Sequence, residues 1–185
     1  VFISLVSTST SILAWDGNRQ GFLLGFGAGT NSLNVSNLDV ERGDVESVSF
    51  TKSITNFRIG YAPINTFAML LYGHGLWNSY QGNATSYYGI NFQRWSTDEP
   101  QSNSWFGGIG LIVVGRNTQF KGIDSPDPEV GWGINFGYGR EIAYHASIEA
   151  NLTIGGISTD TDEFFEGDHT HIFVGSNITF HLLGY

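Results

Sequence analysis

Residues 130–139 read VGWGINFGYG, and the strict alternation in this stretch decides the fold class. One face of the stretch carries Val, Trp, Ile, Phe and Tyr, whereas the other face carries only Gly and Asn. Successive side chains of a β-strand point to opposite sides of the sheet. An alternation with a period of two therefore predicts a strand with one strongly apolar face.

Residues 144–155 alternate in the same way and reveal more of the second face. Tyr, Ala, Ile and Leu on one side alternate with His, Ser, Glu, Asn and Thr on the other. A soluble barrel keeps its bulky apolar residues inside and presents charged residues to water. The polar face here has too little charge for a surface covered by water. We therefore predict that it lines the inside of a barrel, while the apolar face contacts lipid.

The composition of the chain agrees with a membrane barrel. Of its 185 residues, 41% are apolar and 14% are charged, whereas soluble domains carry roughly 25% charged residues. No apolar run reaches the roughly 18 residues that indicate a transmembrane helix. Only helices and closed barrels satisfy every backbone polar group in lipid, so a membrane protein with this sequence must be a barrel.

Cysteine usage and net charge exclude several classes of function. The chain has no cysteine, which excludes disulfide scaffolds, thiolate metal sites and cysteine nucleophiles. Its net charge of −9 argues against a nucleic-acid partner, because no basic patch is present to replace the counterions of phosphates.

Eight segments with strand character can be placed along the chain: residues 21–29, 47–61, 67–77, 87–95, 104–115, 130–139, 143–157 and 170–182. The connections alternate between short ones (62–66, 96–103 and 140–142) and longer polar ones (30–46, 78–86, 116–129 and 158–169). Short periplasmic turns opposite long outer loops are typical of outer-membrane proteins. We predict an all-β fold, an eight-stranded antiparallel up-and-down transmembrane β-barrel.

Two of these segments depart from simple alternation. The apolar residues of 47–61 change face partway along, which indicates either a β-bulge near Lys52 or an extension of the strand beyond the membrane. Residues 67–77 are apolar on both faces, and the pattern assigns neither face to the lumen.

The first residues of the chain differ from the rest. Residues 1–14 carry no charge and end in Ala14, just before Trp15. We expect them to be the remnant of a secretory signal peptide that is removed, with Ile12 and Ala14 at positions −3 and −1 of the cleavage site. Residues 15–185 would then form the outer-membrane barrel. The alternative is that residues 1–14 form an ordinary first strand.

Several stretches resemble the OmpA/OmpX-like outer-membrane β-barrel superfamily: WDGNRQGFLLGFGAG (15–29), ITNFRIGYAPINTF (54–67), SWFGGIGLIVVG (104–115), GWGINFGYGREIAYHASIEANLTIGG (131–156) and the terminal ITFHLLGY (178–185). The resemblance implies a barrel that the assembly machinery inserts into the outer membrane of a Gram-negative bacterium, in contact with lipid and lipopolysaccharide. It implies no cofactor and no particular activity. The chain departs from the family at Tyr185, which is out of phase with the outward Phe180 and Leu182.

The alternation also predicts which polar side chains fill the lumen. Arg58 and Glu149 each lie between apolar neighbours, so both should point inward. A buried charge needs a partner, and we predict a luminal polar network of Arg58, Asn91, Gln93, Asn135, Glu149 and Asn151. Because an eight-stranded barrel is only wide enough for side chains to fill its interior, structural filling is favoured over a conducting pore.

His145, Ser147 and Glu149 raise the hypothesis of an acyl esterase. A His and a Ser on one strand face, with a carboxylate two residues further on, are the residue types of a base, a nucleophile and an orienting acid. Some barrels that deacylate lipid A resemble this set. Against it, the strand leaves a periplasmic turn, and the three side chains are predicted to point away from lipid.

Two further sets of residues are candidate sites. The acidic fourth loop has carboxylates at spacings that a divalent cation could use, at Asp160, Asp162, Glu163, Glu166 and Asp168. The predicted membrane-interface aromatics are Trp77, Trp95, Trp105, Trp132 and Tyr138.

Taken together, these features favour a monomeric barrel with a structural or surface-interaction role and without catalysis. The alternatives are a lipid A-modifying acyl esterase, a small-solute channel and a secreted soluble barrel that binds a ligand.

Overall fold

The computed structural model describes residues 18–39, 45–77, 83–99, 101–116, 129–143, 145–159 and 169–184. Within them lie eight strands: β1 (Gly21–Asp39), β2 (Val45–Ile64), β3 (Phe67–Trp77), β4 (Asn83–Trp95), β5 (Asn103–Arg116), β6 (Glu129–Ala143), β7 (Ala146–Thr159) and β8 (His169–Gly184). None of the described residues forms a helix that is long and apolar enough to cross a membrane.

The eight strands form one closed sheet in chain order. Each strand pairs antiparallel with the next, and β1 closes the barrel against β8. The predicted eight-stranded antiparallel up-and-down barrel is confirmed. Closure matters because it leaves no strand edge with unpaired backbone groups.

The register of the strands shows how the barrel is staggered. A path of paired residues that starts at Leu182 on β8 passes around the barrel and returns to β8 at Ile172. We call the end with the short connections the turn end and the opposite end the loop end. Because Ile172 lies nearer the loop end than Leu182 does, the path climbs toward the loop end as it passes from β1 to β8. A stagger of this kind is what closing a sheet into a barrel requires.

The two faces of the barrel wall have opposite chemistry. Large apolar side chains point outward and stay exposed, among them Phe22 at 60%, Trp132 at 64% and Ile109 at 71%. The charged side chains of Arg58 and Glu149 point inward and are buried, at 3% and 0%. We call the outward set the apolar belt. A contiguous apolar surface of this extent is costly in water and favourable against lipid.

The hairpin of β1 and β2 corrects the prediction of a long loop at residues 30–46. β1 continues to Asp39 and β2 begins at Val45, and the two strands pair without a break from Gly21–Ala62 to Leu38–Val45. The prediction was wrong because the Ser, Thr and Asn residues of this region resemble a loop in composition. In the structure they alternate along a strand that continues past the apolar belt.

The predicted β-bulge near Lys52 is also wrong. Lys52 pairs with Asn31 in an uninterrupted register, and the irregularity of β2 lies between Tyr61 and Ile64, where it pairs with β3. The alternative explanation, a strand extension, accounts for the change of face. The two apolar faces of β3 are explained as well, because Leu70 points into the lumen and Leu71 points outward.

Candidate functional site: the charged core of the lumen

An ion pair spans the lumen between opposite walls of the barrel. Arg58 on β2 donates to Glu149 on β7 through two parallel hydrogen bonds, Nη1 to Oε1 at 3.0 Å and Nη2 to Oε2 at 2.5 Å. Such bidentate pairs are the strongest arrangement of guanidinium and carboxylate. The structure thus brings together the two charges that the sequence placed on the inward face.

His181 on β8 completes this charged core, which we define as Arg58, Glu149 and His181. The Nη2 atom of Arg58 donates to the ring of His181, 2.9 Å from Nδ1, and His181 Nε2 lies 3.2 Å from Glu149 Oε2. Asn56 and Thr179 also contact the imidazole. His181 is not among the luminal residues predicted from the sequence, although its position between the outward Phe180 and Leu182 was a usable signal.

Neutral groups add hydrogen bonds to both members of the ion pair. Gln93 Oε1 accepts from Arg58 Nη1 at 3.1 Å, and Ser147 Oγ donates to Glu149 Oε1 at 3.1 Å. The guanidinium carbon of Arg58 also lies over the rings of Tyr72 and Phe106, 5.7 and 5.9 Å from their centroids. This surrounding compensates for taking two charges out of water.

Inward glycines make room for the charged core. A Cβ atom at Gly25 would lie 2.7 Å from Arg58 Cγ, and one at Gly139 would lie 2.8 Å from Glu149 Cγ. Both glycines face the lumen beside the charged side chain on the neighbouring strand. The Gly face of residues 130–139 is therefore a space requirement of the lumen.

A chain of amides fills the next part of the lumen. Asn91 Nδ2 donates to Asn135 Oδ1 at 2.8 Å, and Asn135 Nδ2 donates to Asn151 Oδ1 at 2.5 Å and to Thr153 Oγ1 at 2.9 Å. Asn151 Nδ2 in turn donates to the hydroxyl of Tyr72 at 2.9 Å. The structure buries all six residues of the predicted luminal network and hydrogen-bonds each of them to other side chains.

Apolar clusters lie on both sides of the charged core. On the turn side is a cluster of Leu23, Ala62, Ala68, Leu70 and Trp95. On the loop side is a cluster of Tyr72, Tyr87, Ile112, Ile157 and Phe173. The lumen thus holds packed side chains at successive levels, an arrangement that supports the walls and does not favour passage of a solute.

Arg19 closes the turn end of the barrel. It precedes β1 and binds Glu141 on β6, with Nε to Oε1 at 2.9 Å and Nη2 to Oε2 at 2.6 Å. Its Nη groups also donate to backbone carbonyls of the two other connections at this end, Asn65 at 3.3 Å and Glu99 at 2.6 Å. One side chain thereby joins the end of β6 to both of the other short connections. Arg19 was not predicted as a site residue because it lies outside any strand, where alternation gives no information.

Trp95 is a correction to the predicted membrane-interface aromatics. Its side chain is 2% exposed, inside the barrel, and the guanidinium carbon of Arg19 lies 5.2 Å from its ring centroid. The physical reason is alternation, because Trp95 has the same parity along β4 as the inward Asn91 and Gln93.

The other predicted interface aromatics point outward where they are described. Trp105, Trp132 and Tyr138 are exposed on the apolar belt, and the rings of Trp105 and Tyr138 meet edge to face, with centroids 5.9 Å apart. Trp77 ends β3, and its side chain lies outside the described part of the structure. Residues 1–14 and the acidic residues Asp160, Asp162, Glu163, Glu166 and Asp168 also lie outside the described residues.

The three residues of the esterase hypothesis do not share one strand face. His145 lies in the turn before β7, with a φ of 61°, and its carbonyl accepts a hydrogen bond from the amide of Leu183 at 2.7 Å. Ser147 instead donates to Glu149, whose carboxylate is bound to Arg58. Ser147 is buried in the lumen, on the opposite face of the wall from the apolar belt.

Comparison with solved structures identifies the fold. Neisserial surface protein A (NspA) is similar with a TM-score of 0.53 and 10% sequence identity, over 85% of this chain and 96% of that one. The outer membrane protein OprG from Pseudomonas aeruginosa is similar with a TM-score of 0.50 and 9% identity, over 90% of this chain and 97% of that one. No family model and no curated protein matches the sequence. The chain therefore has the fold of these eight-stranded outer-membrane β-barrels.

Proposed function

We propose that this chain is an outer-membrane β-barrel of a Gram-negative bacterium with a structural or surface-interaction role and without catalysis. The proposal rests on the two faces of the barrel wall, which are reversed relative to a soluble protein, with the apolar belt outside and the charged core inside. In a soluble protein this distribution would expose the apolar side and bury the charges, both at a cost. In a bilayer the same distribution is stable.

The closure of the sheet favours a monomeric barrel that is surrounded by lipid alone. Every strand finds both of its neighbours within the chain, so no edge remains for pairing with another sheet. The proposed partners are therefore the lipid and lipopolysaccharide around the barrel and, during biogenesis, the assembly machinery. Export through a cleaved signal peptide belongs to the same proposal.

A structural role is favoured over a channel or an enzyme by the contents of the lumen. The charged core, the amide chain and the two apolar clusters occupy successive levels of the described lumen. In planar bilayers we expect the purified barrel to give no discrete conductance steps, and such steps would favour the small-solute channel. Ser147→Ala should leave the acylation of lipid A unchanged, whereas a change that depends on Ser147 would favour the esterase.

The location can be tested by export of the chain behind a secretion signal in a Gram-negative host. We expect the protein to fractionate with the outer membrane, to need detergent for extraction, and to migrate differently on a gel before and after boiling. A protein found in the periplasm and soluble without detergent would contradict the proposal and favour the soluble ligand-binding barrel.

A further inference from the structure

The outer wall of the β1–β2 hairpin carries a surface that the lipid-facing role does not explain. Toward the loop end, the outward positions from Thr30 to Ser36 on β1 and from Ser47 to Thr55 on β2 hold only Ser, Thr and Asn. We call them the hydroxyl face: Thr30, Ser32, Asn34, Ser36, Ser47, Ser49, Thr51, Ser53 and Thr55. The register places them in facing pairs, such as Thr30 with Ser53 and Ser32 with Thr51. They form two adjacent columns of hydroxyl and amide groups.

The hydroxyl face begins at a level where the opposite wall is still apolar. A line of paired residues runs from Thr55 through Gly75, Ser86 and Val113 to Val130. Because such lines climb toward the loop end from β1 to β8, the exposed Val130 lies nearer that end than Thr55 does. The apolar belt therefore reaches higher on β5 and β6 than on β1 and β2.

A groove lies at the foot of the hydroxyl face. It has a volume of about 330 Å³ and is lined by outward side chains that include Phe26, Phe57 and Tyr88, with Thr55 and Ser86 at its edge. Its volume falls at the lower end of the roughly 300–1,000 Å³ of small-molecule sites. Gly75 leaves the groove open, since a Cβ there would meet only Ser86 Oγ, at 3.6 Å.

We propose that the hydroxyl face and this groove bind one glycolipid with an uncharged headgroup from the surrounding membrane, with its sugar against the hydroxyl face and an acyl chain in the groove. The inference rests on the proposed membrane location. The site is continuous with the apolar belt below it, where acyl chains lie, and it rises to the level of the headgroups.

The chemistry of the face selects a sugar over a phosphate. Ser, Thr and Asn side chains both donate and accept hydrogen bonds, as sugar hydroxyls do. The face carries neither the Arg or Lys that a phosphate requires nor a carboxylate that would bind a cation. The chain as a whole has a net charge of −9, which disfavours anionic headgroups. An uncharged, hydroxyl-rich headgroup suits this surface best.

The test uses the full chain in phosphatidylcholine nanodiscs, with bound lipid measured by native mass spectrometry. The probes are galactosyl diacylglycerol, an uncharged glycolipid, and phosphatidylglycerol, an anionic lipid without a sugar ring. We expect selective retention of the glycolipid, with little change when the salt concentration is raised. Equal retention of both lipids would overturn the proposal.

Two variants and a control locate the site. Gly75→Leu fills the groove, and the triple variant Thr51→Val, Ser53→Val, Thr55→Val removes three hydroxyls. Each should weaken glycolipid retention about tenfold, the effect of roughly 1.4 kcal/mol. Gly107→Leu is the control, because Gly107 also faces outward with space for a side chain. Retention unchanged in both site variants would refute the proposal.

The same samples separate this inference from the proposed function. Insertion is checked by the gel shift on boiling. A barrel that inserts normally but does not select the glycolipid overturns only the binding site, whereas a chain that fails to insert overturns the membrane location as well. A dimer that cross-links through Ser53→Cys would assign the hydroxyl face to a second copy instead and would also overturn the proposal.

Discussion

Arg58 and Arg19 are both buried arginines that bind a glutamate across the barrel, but they stabilise different parts of it. Arg58 lies within β2 and forms hydrogen bonds with the side chains of Glu149, Gln93 and His181. Arg19 precedes the first strand and binds backbone carbonyls as well as Glu141. The first arginine therefore ties strands together in mid-barrel, and the second holds the connections that close one end.

The two arginines differ in how much free energy of unfolding is lost when their ion pair is broken. Around Arg58, apolar clusters on both sides keep water away from a charge that has lost its partner. Arg19 lies beside exposed turn residues, so water can replace a lost contact there after a small movement. The same ion pair should therefore be worth more in the charged core than at the turn end.

Glu149→Ala is expected to have the largest effect. It leaves the Arg58 guanidinium buried without its carboxylate, and breaking a buried pair in this way costs about 3–5 kcal/mol. The free energy of unfolding, measured by urea titration of the refolded barrel in detergent, should fall by that amount. A loss below about 1 kcal/mol would place the pair among exposed salt bridges and contradict the assignment.

Arg19→Ala should have a smaller and more local effect. Removing the side chain separates the end of β6 from the two other connections and takes the guanidinium away from Glu141, but water can reach this end. We expect a loss of about 1–3 kcal/mol in the free energy of unfolding, the range for an unsatisfied buried polar group. Hydrogen exchange should rise in the three turns and stay unchanged in the middle of β2 and β7. Equal exchange in both regions would remove the distinction between the two arginines.

Glu141→Gln should be milder still. The amide oxygen still accepts a hydrogen bond from Arg19, and the carbonyls of Asn65 and Glu99 remain in place. The expected loss is about 1 kcal/mol, the typical net contribution of one hydrogen bond. An effect as large as that of Arg19→Ala would mean that the carboxylate, and not the set of carbonyls, holds the turn end.

The double variant Arg58→Met with Glu149→Leu is expected to have the smallest net effect. Replacing a buried ion pair with apolar residues of similar volume is often neutral, because both desolvation costs disappear together. The double variant should be far more stable than Glu149→Ala, with a coupling between the two sites that a double-mutant cycle measures. Additive losses would show that the two side chains do not act as a pair.

The residues that the sequence predicted well are those that the strand period controls. Six luminal polar residues, including Arg58 and Glu149, follow from alternation alone, and the structure buries them all. His181 and the inward position of Trp95 were available from the same rule. Trp95 was misplaced because its residue type, typical of membrane interfaces, was given more weight than its parity with Asn91 and Gln93.

The features that the sequence could not supply depend on contacts outside the strand period. Arg19 meets Glu141 across 122 positions of sequence, and no local pattern encodes that contact. The extension of β1 and β2 was missed for a different reason. Ser, Thr and Asn are typical of loops and equally compatible with a strand whose outer face is polar, so composition could not distinguish the two.

The central claim is that the apolar face of the wall contacts lipid while the polar face is sealed inside. Two single-tryptophan variants test it, one retaining only the outward Trp132 and the other only the inward Trp95, with the remaining tryptophans replaced by Phe. In bilayers that contain brominated lipid, the account predicts strong quenching of Trp132 fluorescence and little quenching of Trp95. Quenching of neither residue, or of Trp95 alone, would contradict the account.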